Sequence, residues 1–172
     1  MTNAISAVDP DGLLEYSVVF TDRSLNHMSR SFQDVMKDIS ATLKKVYNAH
    51  AVAIVSGGGT YAMEAVARQF ATDKKTLVVR NGWFSFRWSQ IFEAGGFGGE
   101  VTVMKARQTA NEPTAPFAPA PIDDVVAALH RESPETVFAP HVETSAGVTL
   151  PDYYTQALAE AAHDAGAPLG PA

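Results

Sequence analysis

Apolar residues recur along this chain with two different spacings. Between residues 32 and 47 they fall three or four positions apart, which predicts one face of an amphipathic helix. Residues 51–55 then form an unbroken run rich in β-branched side chains, which is typical of a strand covered on both faces. The helical spacing returns over residues 61–70. These changes of period predict a helix, a strand and a second helix in that order.

The same alternation continues toward the carboxyl terminus. The predicted strands are residues 76–79, 101–104 and 136–139, and the predicted helices are residues 84–94, 122–130 and 151–165. Strands that alternate with helices in this way are typical of a parallel sheet with helices on both faces. The sequence therefore predicts an α/β fold.

Prolines mark two segments that break the pattern. Residues 106–121 contain four prolines and are predicted to form a surface loop. Pro168 and Pro171 exclude the last residues of the chain from a central strand. We therefore expect the alternation of strands and helices to break off after a last helix that ends at Gly166.

Composition and charge exclude several classes of function. The net charge is −6 without a stripe of Lys or Arg, which argues against a nucleic-acid surface. The chain has no cysteine, so it can form neither a disulfide nor a thiolate metal site, and its five histidines lack metal-ligand spacing. It contains neither a signal-like apolar segment nor a run of about 18 apolar residues. We expect a soluble, cytoplasmic protein with no bound metal, no nucleic acid and no membrane partner.

The run Ser56-Gly57-Gly58-Gly59 lies between the predicted strand and the helix that follows it. Glycine lets the backbone approach a ligand closely, and the free amides of a helix N-terminus favour an anion, so the run predicts a phosphate site. Gly57, Gly59 and Ala62 fit the dinucleotide pattern G-x-G-x-x-A, and Arg80 stands where a 2′-phosphate partner would lie. An NADP- or phosphate-binding α/β module is therefore one hypothesis.

Three motifs taken together support a different hypothesis. They are Ser-Gly-Gly-Gly-Thr-Tyr-Ala-Met-Glu from residue 56, Asn-Gly-Trp-Phe-Ser-Phe-Arg from residue 81 and His-Val-Glu-Thr-Ser-Ala-Gly from residue 141. Each follows the carboxyl end of a predicted strand, where open α/β sheets bind ligands. With these motifs in this order, the chain resembles the class V pyridoxal-phosphate aminotransferases, which include alanine–glyoxylate and serine–pyruvate transaminases. The resemblance implies the N-terminal part of a fold-type-I large domain.

The resemblance also implies which residues bind pyridoxal 5′-phosphate. The amides of Gly58, Gly59 and Thr60 would hold the phosphate, and the Thr60 hydroxyl would add a donor. Thr144 would form a hydrogen bond with the phenolic oxygen of the coenzyme. An aromatic side chain would stack on the pyridine ring. The alignment favours Phe84 for this role, with the adjacent Trp83 as the alternative.

By resemblance, the activity is transfer of an amino group between a small amino acid, alanine or serine, and a 2-oxo acid such as glyoxylate or pyruvate. The complete protein is expected to be a homodimer. The chain contains six lysines, and none lies in the Schiff-base motif of the family: Lys37, Lys44, Lys45, Lys74, Lys75 and Lys105. No catalytic residue is therefore assigned.

The resemblance gives a domain division as well. Residues 26–167 are expected to form a partial coenzyme-binding large domain that includes the proline-rich loop. Residues 1–25 would be an N-terminal extension, and residues 168–172 a tail outside the family pattern. We expect the chain to be the truncated front half of an enzyme.

Overall fold

A computed structural model describes residue 27 and residues 30–171 of the chain. The N-terminal extension predicted for residues 1–25 lies outside the described residues. The chain divides into two compact units with a boundary between Val55 and Ser56, and each is described here by itself. In the part of the chain that the structure describes, no helix combines the length and apolar character needed to cross a bilayer.

The first unit contains one described helix, α1 (Arg30–Val46), which confirms the amphipathic segment seen in the sequence. The prediction of a strand over residues 51–55 is wrong, because these residues have no regular secondary structure and are largely exposed. A strand is stabilised by hydrogen bonds to a neighbouring strand. None of the described strand pairings includes residues 51–55.

The second unit is an α/β structure built around a parallel sheet. Its elements in chain order are α2 (Gly59–Phe70), β1 (Thr76–Arg80), α3 (Trp83–Gly95), β2 (Val101–Lys105), β3 (Arg107–Gln108), β4 (Phe117–Ala118), α4 (Ile122–Glu132), β5 (Thr136–Ala139), β6 (Val142–Glu143), β7 (Val148–Thr149), α5 (Asp152–Asp164) and β8 (Leu169–Pro171). The main sheet has the strand order β2-β1-β5-β8, and all its pairs are parallel. This arrangement confirms the predicted fold class.

The two central strands of the main sheet, β1 and β5, are buried because helices cover both faces. On one face, Leu77 and Val79 of β1 pack in a cluster with residues of α4 and α5. On the other face, Val78 of β1 and Phe138 of β5 pack with residues of α2 and α3. The unbroken apolar runs that predicted β1 and β5 therefore reflect burial on two sides.

Short antiparallel pairs interrupt the loops. The proline-rich loop, predicted to lack regular elements, contains the pair formed by β3 and β4. The segment that follows β5 contains a second pair, formed by β6 and β7. Both are pairs of two-residue strands, which are too short to show a period in the sequence.

The last residues of the chain form a strand that the sequence did not predict. Leu169–Pro171 pairs in parallel with β5 and lies at the edge of the sheet. Proline lacks an amide hydrogen, which excludes it from the middle of a sheet but not from an edge strand. The sequence therefore excluded the central position correctly and missed the edge position.

Replacing Tyr154 by phenylalanine is expected to lower the free energy of unfolding by about 1–2 kcal/mol. The buried Tyr154 hydroxyl donates a 2.9 Å hydrogen bond to the carbonyl of the buried Ala120. Burial, with a smaller effect of Tyr153, raises the pKa of Tyr154 to about 12, so the hydroxyl remains a donor. Urea denaturation followed by circular dichroism measures the change. The exposed Tyr153 is the matched control: Tyr153→Phe should change stability by less than about 0.5 kcal/mol, and equal losses in both variants would contradict the prediction.

Candidate functional site

The glycine run forms the turn that leads into α2. Gly57 has φ +128°, and a Cβ atom built on it would lie 2.7 Å from Cδ2 of Tyr61. Only glycine meets both conditions without strain. The chain therefore enters α2 through a turn that requires glycine at position 57.

The start of α2 lies at the surface, where Gly58 and Gly59 are exposed and Thr60 is half-buried. The N-cap residue Gly58 provides no side-chain hydrogen bond, and the Tyr61 amide donates to the Gly58 carbonyl at 2.9 Å. Among the described residues, no hydrogen bond engages the amides of Gly59 and Thr60, and no atom lies within 4 Å of a Cβ built on Gly58 or Gly59. Two free donors and the positive end of the helix dipole favour an anion at this position. The sequence predicted that these amides would follow a strand, but the residues before them do not form one.

The start of α3 is closed by a carboxylate of the protein itself. Glu143 of β6 is fully buried and accepts bonds from the amides of Phe84 at 3.1 Å and Ser85 at 2.8 Å. The Trp83 amide donates to the Ser145 hydroxyl at 2.8 Å. All three amides of the first turn of α3 are thereby paired, and a negative charge lies at the positive end of the helix dipole.

Two serine hydroxyls complete the hydrogen bonds of this carboxylate. The Ser145 hydroxyl donates to Oε1 of Glu143 at 2.5 Å, and the Ser85 hydroxyl donates to Oε2 at 2.6 Å. The Ser85 hydroxyl also accepts from the amides of Asn81 at 2.8 Å and Gly82 at 3.0 Å. We refer to Ser85, Glu143 and Ser145 as the α3 clamp. It joins the second sequence motif to the third.

The hydrogen bonds of the clamp determine the charge of Glu143. Burial raises the pKa of its carboxyl, but the donors from Ser145, Ser85 and Phe84 together outweigh burial, and the pKa of Glu143 is lowered from its ordinary value of 4.5. The carboxylate is therefore charged at neutral pH. The pKa of Glu143 is lower in the folded state than in the unfolded state. Its contribution to stability is therefore fully present at a pH above the unfolded-state pKa, and it is lost as the pH falls through the folded-state pKa.

The clamp brings two of the predicted coenzyme-binding residues together. Phe84 donates its amide to Glu143, and Thr144 is the residue between Glu143 and Ser145. Thr144 is exposed, and the side chains of Phe84 and Trp83 are 50% and 56% exposed. Trp83 contacts Phe86, with ring centroids 5.9 Å apart. Half-exposed aromatic side chains beside an exposed threonine are available to a ligand and are not part of the core.

The phosphate-binding residues predicted at α2 are linked to this pair only indirectly. In the part of the chain that the structure describes, no hydrogen bond or ring contact connects Gly58, Gly59 or Thr60 with Phe84 or Thr144. The two helices that carry them pack together, with Ala67 of α2 in the same apolar cluster as α3 residues such as Trp88. The residues predicted to bind the phosphate therefore lie at the start of α2, Phe84 lies on the neighbouring α3, and Thr144 lies on the loop after β6.

Arg80, the residue expected to contact a 2′-phosphate of NADP, is directed toward α3. Its Nη1 donates to the Ser89 hydroxyl at 3.2 Å, and its guanidinium lies 4.9 Å from the centroid of the Phe86 ring. These contacts hold the cation against the protein. They do not favour the dinucleotide hypothesis.

Solved structures of other proteins resemble this chain over most of its length. Ureidoglycine–glyoxylate aminotransferase from Bacillus subtilis is 18% identical with a TM-score of 0.67, over 86% of this chain and 35% of that one. Alanine–glyoxylate aminotransferase from Nostoc sp. is 24% identical with a TM-score of 0.64, over 86% and 36%. Pyridoxamine–pyruvate aminotransferase from Mesorhizobium loti is 16% identical with a TM-score of 0.67, over 87% and 36%. Over the matched region, the chain shares its fold with the corresponding part of these three proteins.

These matches confirm, at the level of the fold, the resemblance to class V aminotransferases that the three motifs indicated. The chain spans just over a third of the length of these aminotransferases, with 35–36% covered in the three examples. No protein-family model and no curated protein sequence matches the chain significantly.

A cavity of about 350 Å³ lies at the carboxyl ends of β1 and β2. Its lining includes Asn81 and Gly82 before α3, Lys105 at the end of β2, and Ala146 beside the clamp. Both polar atoms of the buried Asn81 amide lack a hydrogen-bond partner among the described residues. The cavity therefore borders the closed end of α3 and does not include the open end of α2.

Sequence reasoning missed the role of Glu143. The residue is 59 positions from Phe84, and no local pattern relates a carboxylate to a helix cap at such a distance. The only signal was the grouping of three motifs at strand ends, which predicts that their loops meet. In the folded chain, two of these motifs are joined by a direct hydrogen bond from the Phe84 amide to Glu143.

Proposed function

We propose that this chain forms the phosphate- and ring-binding part of a pyridoxal-phosphate-dependent aminotransferase. One observation carries the proposal: of the two helices that begin within the sequence motifs, α3 is closed by Glu143, whereas α2 presents unpaired amides. An anionic ligand is therefore favoured at α2, which is the position that the resemblance assigns to the coenzyme phosphate.

The residues present fit this coenzyme. Gly59 and Thr60 offer backbone donors to a phosphate, with the Thr60 hydroxyl beside them, and Gly58 leaves open space in front of the helix. Phe84 offers an exposed aromatic face for the pyridine ring, and Thr144 offers a hydroxyl for its phenolic oxygen. When bound, pyridoxal phosphate supplies an electron sink for bonds at the α-carbon of an amino acid.

The finer assignments extend the same proposal. We propose amino transfer between alanine or serine and a 2-oxo acid such as glyoxylate or pyruvate, in a cytoplasmic homodimer. Residues 26–167 would belong to the large domain of that enzyme. The lysine that binds the coenzyme is not among the six lysines of this sequence, so the proposed role of the chain is to bind and orient the coenzyme.

The first test measures binding of two unreactive ligands to the 172-residue chain by isothermal titration calorimetry. The ligands are inorganic phosphate and pyridoxine 5′-phosphate, which has the ring and the phosphate but no aldehyde to react with surface lysines. Pyridoxine phosphate is expected to bind at least about tenfold more tightly than phosphate, because the ring adds contacts with an exposed aromatic side chain.

Two variants separate the parts of the site. Thr60→Val is expected to weaken the binding of both ligands by about fivefold, because it removes a hydrogen-bond donor to the phosphate. Thr144→Val removes a donor to the ring and is expected to weaken the binding of pyridoxine phosphate alone, by a similar factor. Thr114→Val, in the exposed proline-rich loop, is the control and should leave both affinities unchanged. Equal affinities of the unaltered chain for the two ligands would contradict the proposal. A larger thermal shift with NADP than with pyridoxal phosphate would favour the dinucleotide hypothesis.

A further inference from the structure

The α3 clamp connects Phe84 and Thr144, the two residues proposed to contact the pyridine ring. Glu143 accepts four hydrogen bonds, from Phe84, from Ser145 and twice from Ser85. One of these donors is the amide of Phe84 itself, and the residue after Glu143 is Thr144. Because Glu143 is fully buried, leaving these partners would place an unpaired charge in the interior, which is costly.

We infer that Glu143 is a positioning residue that fixes Phe84 and Thr144 for the pyridine ring and directs the phosphate of the coenzyme to α2. The inference rests on the proposed function and deepens it. In this role Glu143 contacts neither the phosphate nor the pyridine ring of the coenzyme. It acts through the backbone of Phe84 and through the loop that carries Thr144.

The geometry explains the first half of this role. Phe84 lies on α3 and Thr144 on the loop after β6, and no hydrogen bond among the described residues joins the two directly. The carboxylate bonds to the first turn of the helix at 3.1 Å and 2.8 Å and to a loop hydroxyl at 2.5 Å, which sets the helix and the loop at one separation. A site held in advance by such bonds loses less entropy when a ring binds.

The charge explains the second half. A helix N-terminus attracts an anion, and α2 and α3 both begin within the motifs of the site. At α3 the negative charge is already supplied by Glu143, whose carboxylate would also repel a phosphate. At α2 the amides of Gly59 and Thr60 remain unpaired in the described residues. The clamp thereby favours the orientation of the coenzyme in which its phosphate lies at α2 and not at α3.

The experiment uses Glu143→Gln, which keeps the size of the side chain and removes its charge, in the 172-residue chain. Calorimetry with inorganic phosphate and pyridoxine 5′-phosphate gives two dissociation constants, and their ratio measures the contribution of the ring. We expect the dissociation constant for pyridoxine phosphate to rise about tenfold and that for phosphate to change by less than about twofold. A cap with only a structural role would lower the melting temperature without changing this ratio.

Two further variants make the outcome decisive. Ser145→Ala removes one clamp hydroxyl at an exposed position and should reduce the ratio by about threefold, which decides the question if Glu143→Gln does not fold. Glu112→Gln removes a charge from the exposed proline-rich loop and should leave the ratio unchanged. If the unaltered chain prefers pyridoxine phosphate and the two clamp variants keep that preference, the inference is overturned while the proposed function stands. If the unaltered chain binds pyridoxine phosphate and inorganic phosphate equally well, the proposed function itself is contradicted, and the inference that rests on it is contradicted as well.

Discussion

Replacing Trp88 by alanine is expected to lower the free energy of unfolding by about 3–5 kcal/mol, the largest effect predicted for a single substitution in this chain. Trp88 of α3 is 1% exposed and stacks on Phe138 of β5, with ring centroids 4.1 Å apart and an angle of 19° between the rings. It also packs with Ala67 of α2 in the same cluster. Removing the indole leaves a cavity between three elements. Its Nε1 has no hydrogen-bond partner among the described residues, which favours the lower end of the range.

The second tryptophan provides a matched control on the same helix. Trp83 is 56% exposed, so Trp83→Ala should change stability by less than about 1 kcal/mol. Urea denaturation followed by circular dichroism measures both variants without relying on tryptophan fluorescence, which the substitutions alter. Similar losses of stability in the two variants would show that α3 does not pack on the sheet as described.

Replacing Gly82 by alanine is expected to cost about 1–3 kcal/mol of stability. A Cβ atom on Gly82 would lie 2.7 Å from both Cγ of Glu143 and Oγ of Ser145. Ordinarily such side chains swing away, but here four hydrogen bonds hold Glu143 in place. The methyl group must therefore break part of the clamp. Gly82→Ala should also reduce the preference for pyridoxine phosphate over phosphate, measured by calorimetry.

Gly58→Ala controls for the loss of a glycine at a helix start. Gly58 is the N-cap of α2, as Gly82 is the N-cap of α3, but no atom lies within 4 Å of a Cβ built on Gly58. Its substitution should cost less than about 1 kcal/mol. A loss at Gly58 as large as that at Gly82 would mean that the crowding around Glu143 is not the cause.

The sequence predicted the elements whose stabilising partners lie nearby or on both faces. Residues 136–139 match β5 because burial on two faces produces an unbroken apolar run. Residues 51–55 show the same pattern and are not a strand, because a strand requires a neighbouring strand as well as suitable side chains. The pattern reports the side chains and carries no information about the neighbour.

In the candidate site too, the sequence predicted the local features and missed those that depend on distant segments. The glycine run indicated an anion site at α2, since a helix start is a local feature of the sequence. The exposure of Phe84 and Thr144 and their connection through Glu143 depend on segments 59 positions apart, so no local pattern contains them. The sequence predicted that these motifs meet, and the structure shows which atoms join them.

The separation of the clamp partners also bears on the order of folding. The first turn of α3 leaves the ribosome before the chain that contains Glu143, so the amides of Phe84 and Ser85 stay hydrated until 59 further positions are synthesised and that long loop closes. The middle of α3 can begin to pack earlier, because Ala67 and Val78 in the cluster of Trp88 precede it in the chain, although its stacking partner Phe138 follows later. The start of α3 is therefore expected to form late, and during refolding its amides should become protected from exchange with solvent deuterium later than those around Trp88.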